Sequence, residues 1–297
     1  MIKNFIDISD FTKKDLDKII LIAKKMKNYE NKFKNIFNGK TLGLIFEKQS
    51  NRTRLSFNVG MQKFGGNVVE LNSRDIGFGK RETDEDIIRT LSQYLDCLMI
   101  RNNNHNQIKY LASLNILPII NGLTDFSHPC QILSDIFTLN EIFGKISKIK
   151  ICWVGDFNNV LRSLIQIQKL YMFNLSIVVP KQILKKNNLE IRKLNNSNIY
   201  FTENLKEGVK KSDCIMTDVW VSMGEKNNNK KLFFKKYQLN SQIMSYANKN
   251  SVFMHCLPAH RNEEVTNELI DGPQSIVWQQ AKNRIYVQQS IINYILK

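Results

Sequence analysis

Ser50-Asn51-Arg52-Thr53-Arg54 gathers two hydroxyls and two guanidinium groups in five residues, after the apolar run 41–46 and at the head of a helical pattern. With Ser50 as N-cap, the amides of Asn51, Arg52 and Thr53 point out of the helix start, where the dipole favours an anion. Ser50 and Thr53 are three apart and share a face, so both hydroxyls can reach one ligand. Arg52 adds a fork that grips phosphate oxygens bidentately, whereas Arg54 points elsewhere. The motif alone fits a capped surface helix equally well. Gly39-Lys40 is no nucleotide P-loop, because Lys34 stands where that loop needs its first glycine.

Five other places carry polar groups suited to chemistry. Arg101 follows the apolar run 96–100, and His128-Pro129-Cys130-Gln131 enters a helical pattern. Imidazole and amide groups can polarise a carbonyl and hold an NH₂, although a turn with an N1 proline also explains them. Gly155-Asp156-Phe157-Asn158-Asn159 follows an apolar run but lacks the GxGxxG of a dinucleotide turn. The stretch 217–224 offers Asp218, Ser222 and amides near Gly224, a carboxylate for a ligand ammonium and donors for a ligand carboxylate. His255-Cys256 closes another apolar run. Adjacent strand residues face opposite ways, so this pair is not expected to share a metal.

The elements that must position these groups alternate. Strands are predicted at 41–46, 67–71, 96–100 and 116–120, then at 149–154, 175–179, 198–202, 213–217 and 252–255. Helices are predicted near 52–64, 84–95, 106–113, 129–143, 159–173 and 279–296, after a first helix opened by Asp10 and Thr12. Alternation of this kind implies parallel sheets. The expected fold is α/β, two doubly wound parallel-sheet domains with a cleft between them. Their expected spans are 1–145 and 146–297, the last helix returning to the first domain. Every motif falls just after a strand, where parallel sheets bind ligands.

Composition narrows the class. The 297 residues carry 43 Lys and Arg against 27 Asp and Glu, a formal net charge of +16. The lysines are scattered among Asn and Ile, and no nucleic-acid-binding motif spacing is present, so no nucleic acid partner is expected. No apolar run is long enough to span a bilayer, and the first residues lack a signal-peptide pattern, so a cytoplasmic protein is expected. The five cysteines are odd in number and widely spaced, against a disulfide framework or a structural zinc. Cys97, Cys152 and Cys214 lie in apolar runs and are expected to be buried.

Together, SxRTR (50–54), HPxQ (128–131), DxxxSMG (218–224) and HCLP (255–258) resemble the ornithine carbamoyltransferase family in order and spacing across the chain. The resemblance implies transfer of a carbamoyl group from carbamoyl phosphate to the δ-amine of L-ornithine, giving L-citrulline and phosphate in arginine biosynthesis. It implies carbamoyl phosphate contacts at Ser50, Asn51, Arg52, Thr53, Arg101, His128, Gln131, Cys256, Leu257 and Arg284. Ornithine contacts are implied at Asn159, Asp218, Ser222 and Met223. Cys256, Arg101 and His128 are the expected catalytic groups, Arg101 and His128 with Thr53 at the developing oxyanion and Cys256 as proton acceptor. No metal or cofactor is expected, and a homotrimer or multiple of trimers is.

The chain departs from the family at Asn51, where Thr is common, and at Gly77, where many relatives place a Gln that reaches a neighbouring subunit's site; Lys80 is a candidate to compensate. Rivals are a carbamoyltransferase for putrescine, aspartate or an acylated ornithine, and a catalytically silent binding subunit. Asp218 favours ornithine, because putrescine has no α-ammonium to pair with it.

Overall fold

The computed structural model describes residues 2–48, 50–79, 82–194, 198–221 and 228–297. The chain forms two compact units. The first contains Met1–Phe137, Arg162–Ile167 and Lys282–Lys297, and the second Thr138–Leu161 and Gln168–Ala281.

The sheet of the first unit consists of β1 (Thr41–Phe46), β2 (Asn67–Asn72), β3 (Cys97–Arg101) and β4 (Ile119–Leu123). All pairings are parallel, in the order β2-β1-β3-β4. β1 and β3 are apolar and buried almost throughout, as central strands covered on both faces must be. β2 is largely exposed and lies at the edge. The second sheet has β5 (Lys150–Val154), β6 (Asn174–Val178), β7 (Ile199–Thr202), β8 (Cys214–Thr217) and β9 (Val252–His255). It is also all parallel, in the order β7-β6-β5-β8-β9.

The longer helices are α1 (Lys13–Asn28), α2 (Asn51–Lys63), α3 (Asp84–Leu91), α4 (His105–Ser113), α5 (Pro129–Phe143), α6 (Asn159–Tyr171) and α7 (Val277–Ile295). Thr12 caps α1 in a capping box with Asp15. From Lys282 onward α7 belongs to the first unit: Lys27 Nζ donates to Asn283 Oδ1 at 2.9 Å and Gln289 Nε2 to the Phe57 carbonyl at 3.3 Å.

β4 departs from its predicted span of 116–120 by three residues. Its middle is Asn121-Gly122, which reads as a turn. Asn121 is nevertheless fully buried, its side chain donating to the Ile6 carbonyl at 3.0 Å. Phe5 bridges to Ile120 on the open side of the strand. A distant segment thus pairs the Asn121 amide donors, backbone and side chain, in the strand they hid. Gly77 ends the short helix Ser73–Ile76 with φ 60° and ψ 43°. That left-handed position favours glycine, so backbone geometry explains the departure there. Lys80 lies outside the described residues.

Candidate active site

Each sheet has a point where successive connections leave in opposite directions, and ligands of open α/β sheets bind outside the strand ends there. In the first unit that point lies between β1 and β3; in the second it lies between β5 and β8.

In the first unit, β1 feeds α2 through Ser50, which has the extended backbone of an N-cap. The first helical bond runs from Arg54 N to Ser50 O at 3.0 Å, leaving the amides of Asn51, Arg52 and Thr53 ahead of it. Ser50 Oγ donates to Thr53 Oγ1 at 3.1 Å instead of capping a backbone amide. The same oxygen accepts from Arg101 Nη1 at 3.3 Å and from Arg284 Nη2 at 3.0 Å. Three donors therefore share an oxygen with two lone pairs, an arrangement that suits an incoming acceptor. Arg54 pairs with Glu70, 3.1 Å away, and stacks on Phe46, so it does point elsewhere. Asn51 is exposed, and its side chain stands apart from this buried cluster.

His128 and Gln131, at the start of α5, are both buried. Burial, then the charges of Arg284, Arg101 and Arg52, holds the His128 imidazole well below its ordinary range. It is neutral at pH 7, with one donor and one acceptor nitrogen. Gln131 Nε2 donates to Asp135 Oδ1 at 2.8 Å. His128 Nδ1 and Gln131 Oε1 are buried with no hydrogen-bond partner among the described residues, the state of polar atoms placed for a ligand.

In the second unit, Gly155 leaves β5 at φ 150°, a conformation that disfavours a side chain. The chain then reaches Asn158, whose Oδ1 caps α6 by accepting from Val160 N and Leu161 N, both at 3.1 Å. Asn158 Nδ2 donates to Asp218 Oδ2 at 2.8 Å, just beyond β8. Asp218 Oδ1 accepts from Val219 N at 2.8 Å and from Cys256 Sγ at 3.0 Å. The structure thus brings Asp218 and Cys256 together. Leu257, half-buried, has φ 55° and turns the chain away from β9. Asn159 is the first residue of α6, and Ser222 and Met223 lie outside the described residues. Cys97, Cys152 and Cys214 are buried, as is Cys130; burial pushes the Cys130 and Cys152 thiols up to about 12. Cys256 alone among the cysteines is half-buried.

The opposite-face argument for His255 and Cys256 needs correction. β9 ends at His255, so the alternation does not extend to Cys256, and ligand atoms of Asp218, His255 and Cys256 lie within 4.8 Å of one another. Hydrogen bonding, not direction, disfavours a metal here. His255 Nδ1 accepts from Leu257 N at 2.8 Å, and Nε2 meets Glu264 Oε1 at 3.1 Å, so both ring nitrogens are engaged. The other cluster, His260, Glu263 and Glu264, is tied up by Lys231 Nζ on Glu263 at 2.7 Å and by His260 N on Glu264 at 2.6 Å.

Sequence reasoning missed Asn158. Its signal is an Asn immediately before a helix, the residue type that favours an N-cap. It also missed the His255–Glu264 pair, for which no local spacing gives notice.

Comparison with known proteins finds relatives along nearly the whole chain. Residues 3–141 match the carbamoyl-P binding domain of aspartate/ornithine carbamoyltransferase, and residues 147–295 its Asp/Orn binding domain. The ornithine carbamoyltransferase of Mesorhizobium japonicum is 38% identical over 299 residues, covering 99% of both chains. That of Brucella abortus is 40% identical over 300 residues, covering 100% of this chain and 96% of its own. Among solved structures, the Pyrococcus furiosus ornithine carbamoyltransferase superposes with a TM-score of 0.88 at 36% identity, covering 98% of this chain and 96% of its own. The anabolic enzyme of Campylobacter jejuni gives 0.88 at 30%, covering 99% of each. With both domain models and full-length relatives in agreement, the chain belongs to the aspartate/ornithine carbamoyltransferase family.

Proposed function

We propose that this protein transfers the carbamoyl group of carbamoyl phosphate to the δ-amine of L-ornithine. The observation that carries the reading is the convergence of Arg101, Arg284 and Ser50 on Thr53 Oγ1, beside a helix start and a neutral, buried His128. The α2 amides with Ser50, Arg52 and Thr53 bind the phosphoryl group, and Asn51 contributes its amide. Gln131 Oε1 accepts from the carbamoyl NH₂. When the amine attacks, charge develops on the carbonyl oxygen, and Arg101 and the His128 N–H stabilise it. The new C–N bond forms, the C–O bond to phosphate breaks, and phosphate departs into the guanidinium cluster with Arg284.

The δ-ammonium has an ordinary pKa of about 10.4, so only on the order of one molecule in a thousand is neutral at pH 7. Asp218 holds the α-ammonium of ornithine, assisted by Asn159 and by Ser222 and Met223. Cys256, hydrogen-bonded to Asp218, lies beside the reacting amine with Leu257 and takes its proton as the thiolate, the thiol's own proton having left to solvent, so that the Asp218 carboxylate stays charged for the α-ammonium. The chemistry calls for no metal, because carbamoyl phosphate is already activated.

The likeness to the anabolic Campylobacter jejuni enzyme supports the direction of arginine biosynthesis. Exposed Leu55 and Val59 on α2 and Val69 on the edge strand β2 support assembly into a homotrimer or a multiple of trimers. Five cysteines held as thiols, with no helix among the described residues long and apolar enough to cross a membrane, support a cytoplasmic location. The test is citrulline formation by purified protein from carbamoyl phosphate and L-ornithine, beside parallel reactions with putrescine and aspartate. Turnover with ornithine alone is expected. No turnover with any amine would leave a silent binding subunit.

A further inference from the structure

In the proposed reaction the His128 imidazole must be held in place, yet its Nδ1 has no hydrogen-bond partner among the described residues. The turn just before it is anchored from two sides. Thr124 and Ser127 close that turn, Thr124 N donating to Ser127 O at 2.9 Å and Ser127 N to Thr124 Oγ1 at 3.0 Å. On one side, His105 Nδ1 lies 2.9 Å from Thr124 Oγ1 while its Nε2 lies 2.9 Å from Asp7 Oδ2. On the other, Ser163 Oγ accepts from His128 N at 2.9 Å and lies 3.2 Å from Ser127 Oγ. Thr124, Ser127 and Ser163 are all fully buried.

Ser163 sits inside α6, in the segment Arg162–Ile167 that belongs to the first unit. Serine is a poor choice for a buried helix interior, because its hydroxyl must find a partner. The partner here is the backbone of His128. Residue 129 is proline and offers no N–H, so the His128 amide is the last donor before α5 by which the ring can be hung.

Building on the carbamoyl-transfer reading, we infer that Ser163 is a positioning residue for the reaction: it anchors the His128 amide, and the His105–Asp7 pair anchors the far end of the same turn. Displacing the imidazole by a fraction of an ångström weakens its hydrogen bond to the developing oxyanion while leaving the phosphate cradle intact.

The test compares Ser163→Ala with Ser290→Ala, which removes another fully buried helix hydroxyl of the same unit, bonded to the Ile19 carbonyl. The 297-residue chain has four histidines, so His-selective ¹⁵N labelling resolves the His128 ring. Ser163→Ala is expected to lower kcat by about 10-fold to 100-fold, to shift or broaden the His128 ring signals, and to leave the Kd for inorganic phosphate within about two-fold of wild type. Ser290→Ala should lower Tm alone. Should Ser163→Ala fail to fold, Thr124→Val keeps the shape and removes the other anchor, with the same ring shift expected. Ring signals and kcat that move no more in either variant than in Ser290→Ala would overturn the inference. A wild-type protein without carbamoyl transfer would overturn the functional reading instead, and the ring signals would still decide the anchoring.

Discussion

The two units place their polar groups at the same topological position and make opposite electrostatic choices there. Beyond β1 and β3, Arg101 and Arg284 meet the Thr53 hydroxyl at a helix start, and their charges with that of Arg52 add to burial in keeping the His128 imidazole neutral. Beyond β5 and β8, a single carboxylate takes hydrogen bonds from an amide, a backbone N–H and a thiol. The first arrangement suits a doubly charged anion, the second an ammonium group. The parallel sheet supplies the location in both, and the residues after each strand decide the charge presented there.

The largest expected effect comes from the first unit. Arg101→Ala removes a guanidinium aimed at Thr53 Oγ1 and, in the proposed reaction, at the developing oxyanion. Carbamoyl transfer should fall by roughly 100-fold to 1000-fold, seen as kcat in a citrulline assay. A loss confined to KM would assign Arg101 to ground-state binding and weaken the contrast between the half-sites.

Asp218→Asn tests the other side. It removes the Asp218 negative charge and keeps the side chain's shape, so KM for ornithine should rise by about 10-fold to 100-fold, the worth of a charge-assisted hydrogen bond. Affinity for phosphate, measured by calorimetry, should not change. If phosphate binding weakened as much as ornithine binding, the half-sites would not be separate in function.

The smallest effect is on stability. His128 in the fold lies below its unfolded value of about 6.5, so below that pH the unfolded chain binds more protons. The stability supplied by the neutral ring is complete above about pH 6.5 and is lost as pH falls toward the folded value, by at most about 1.4 kcal/mol per pH unit. Urea denaturation between about pH 7 and pH 5 should show this slope, and His128→Asn should flatten it. A slope unchanged in the variant would place the ring where it can be protonated, against the electropositive description of the first unit.

Much of this was legible from residue order. Strand–helix alternation appears as runs such as TLGLIF and CLMIR, because central parallel strands are apolar on both faces. The helix start after β1 and the meeting of Ser50 with Thr53 were legible because a cap and a Ser-x-x-Thr spacing are local. β4 was misplaced because Asn121 reads as polar turn chemistry until Ile6, 115 residues away, accepts from its side chain. His255 and Cys256 were separated by a strand rule that ends one residue too early.

The sequence by itself determined the α/β class, the segments that carry chemistry and the type of group each offers, since these depend on periodicity and on neighbours within a few residues. Only the tertiary structure decided which of those groups meet. Arg284 reaches Thr53 across 231 residues of chain, Cys256 reaches Asp218 across 38, and Asn158 reaches Asp218 across 60. The neutrality of His128 likewise arises from burial among three guanidinium groups, because the free energy of a charge depends on everything packed around it and not on its place in the chain.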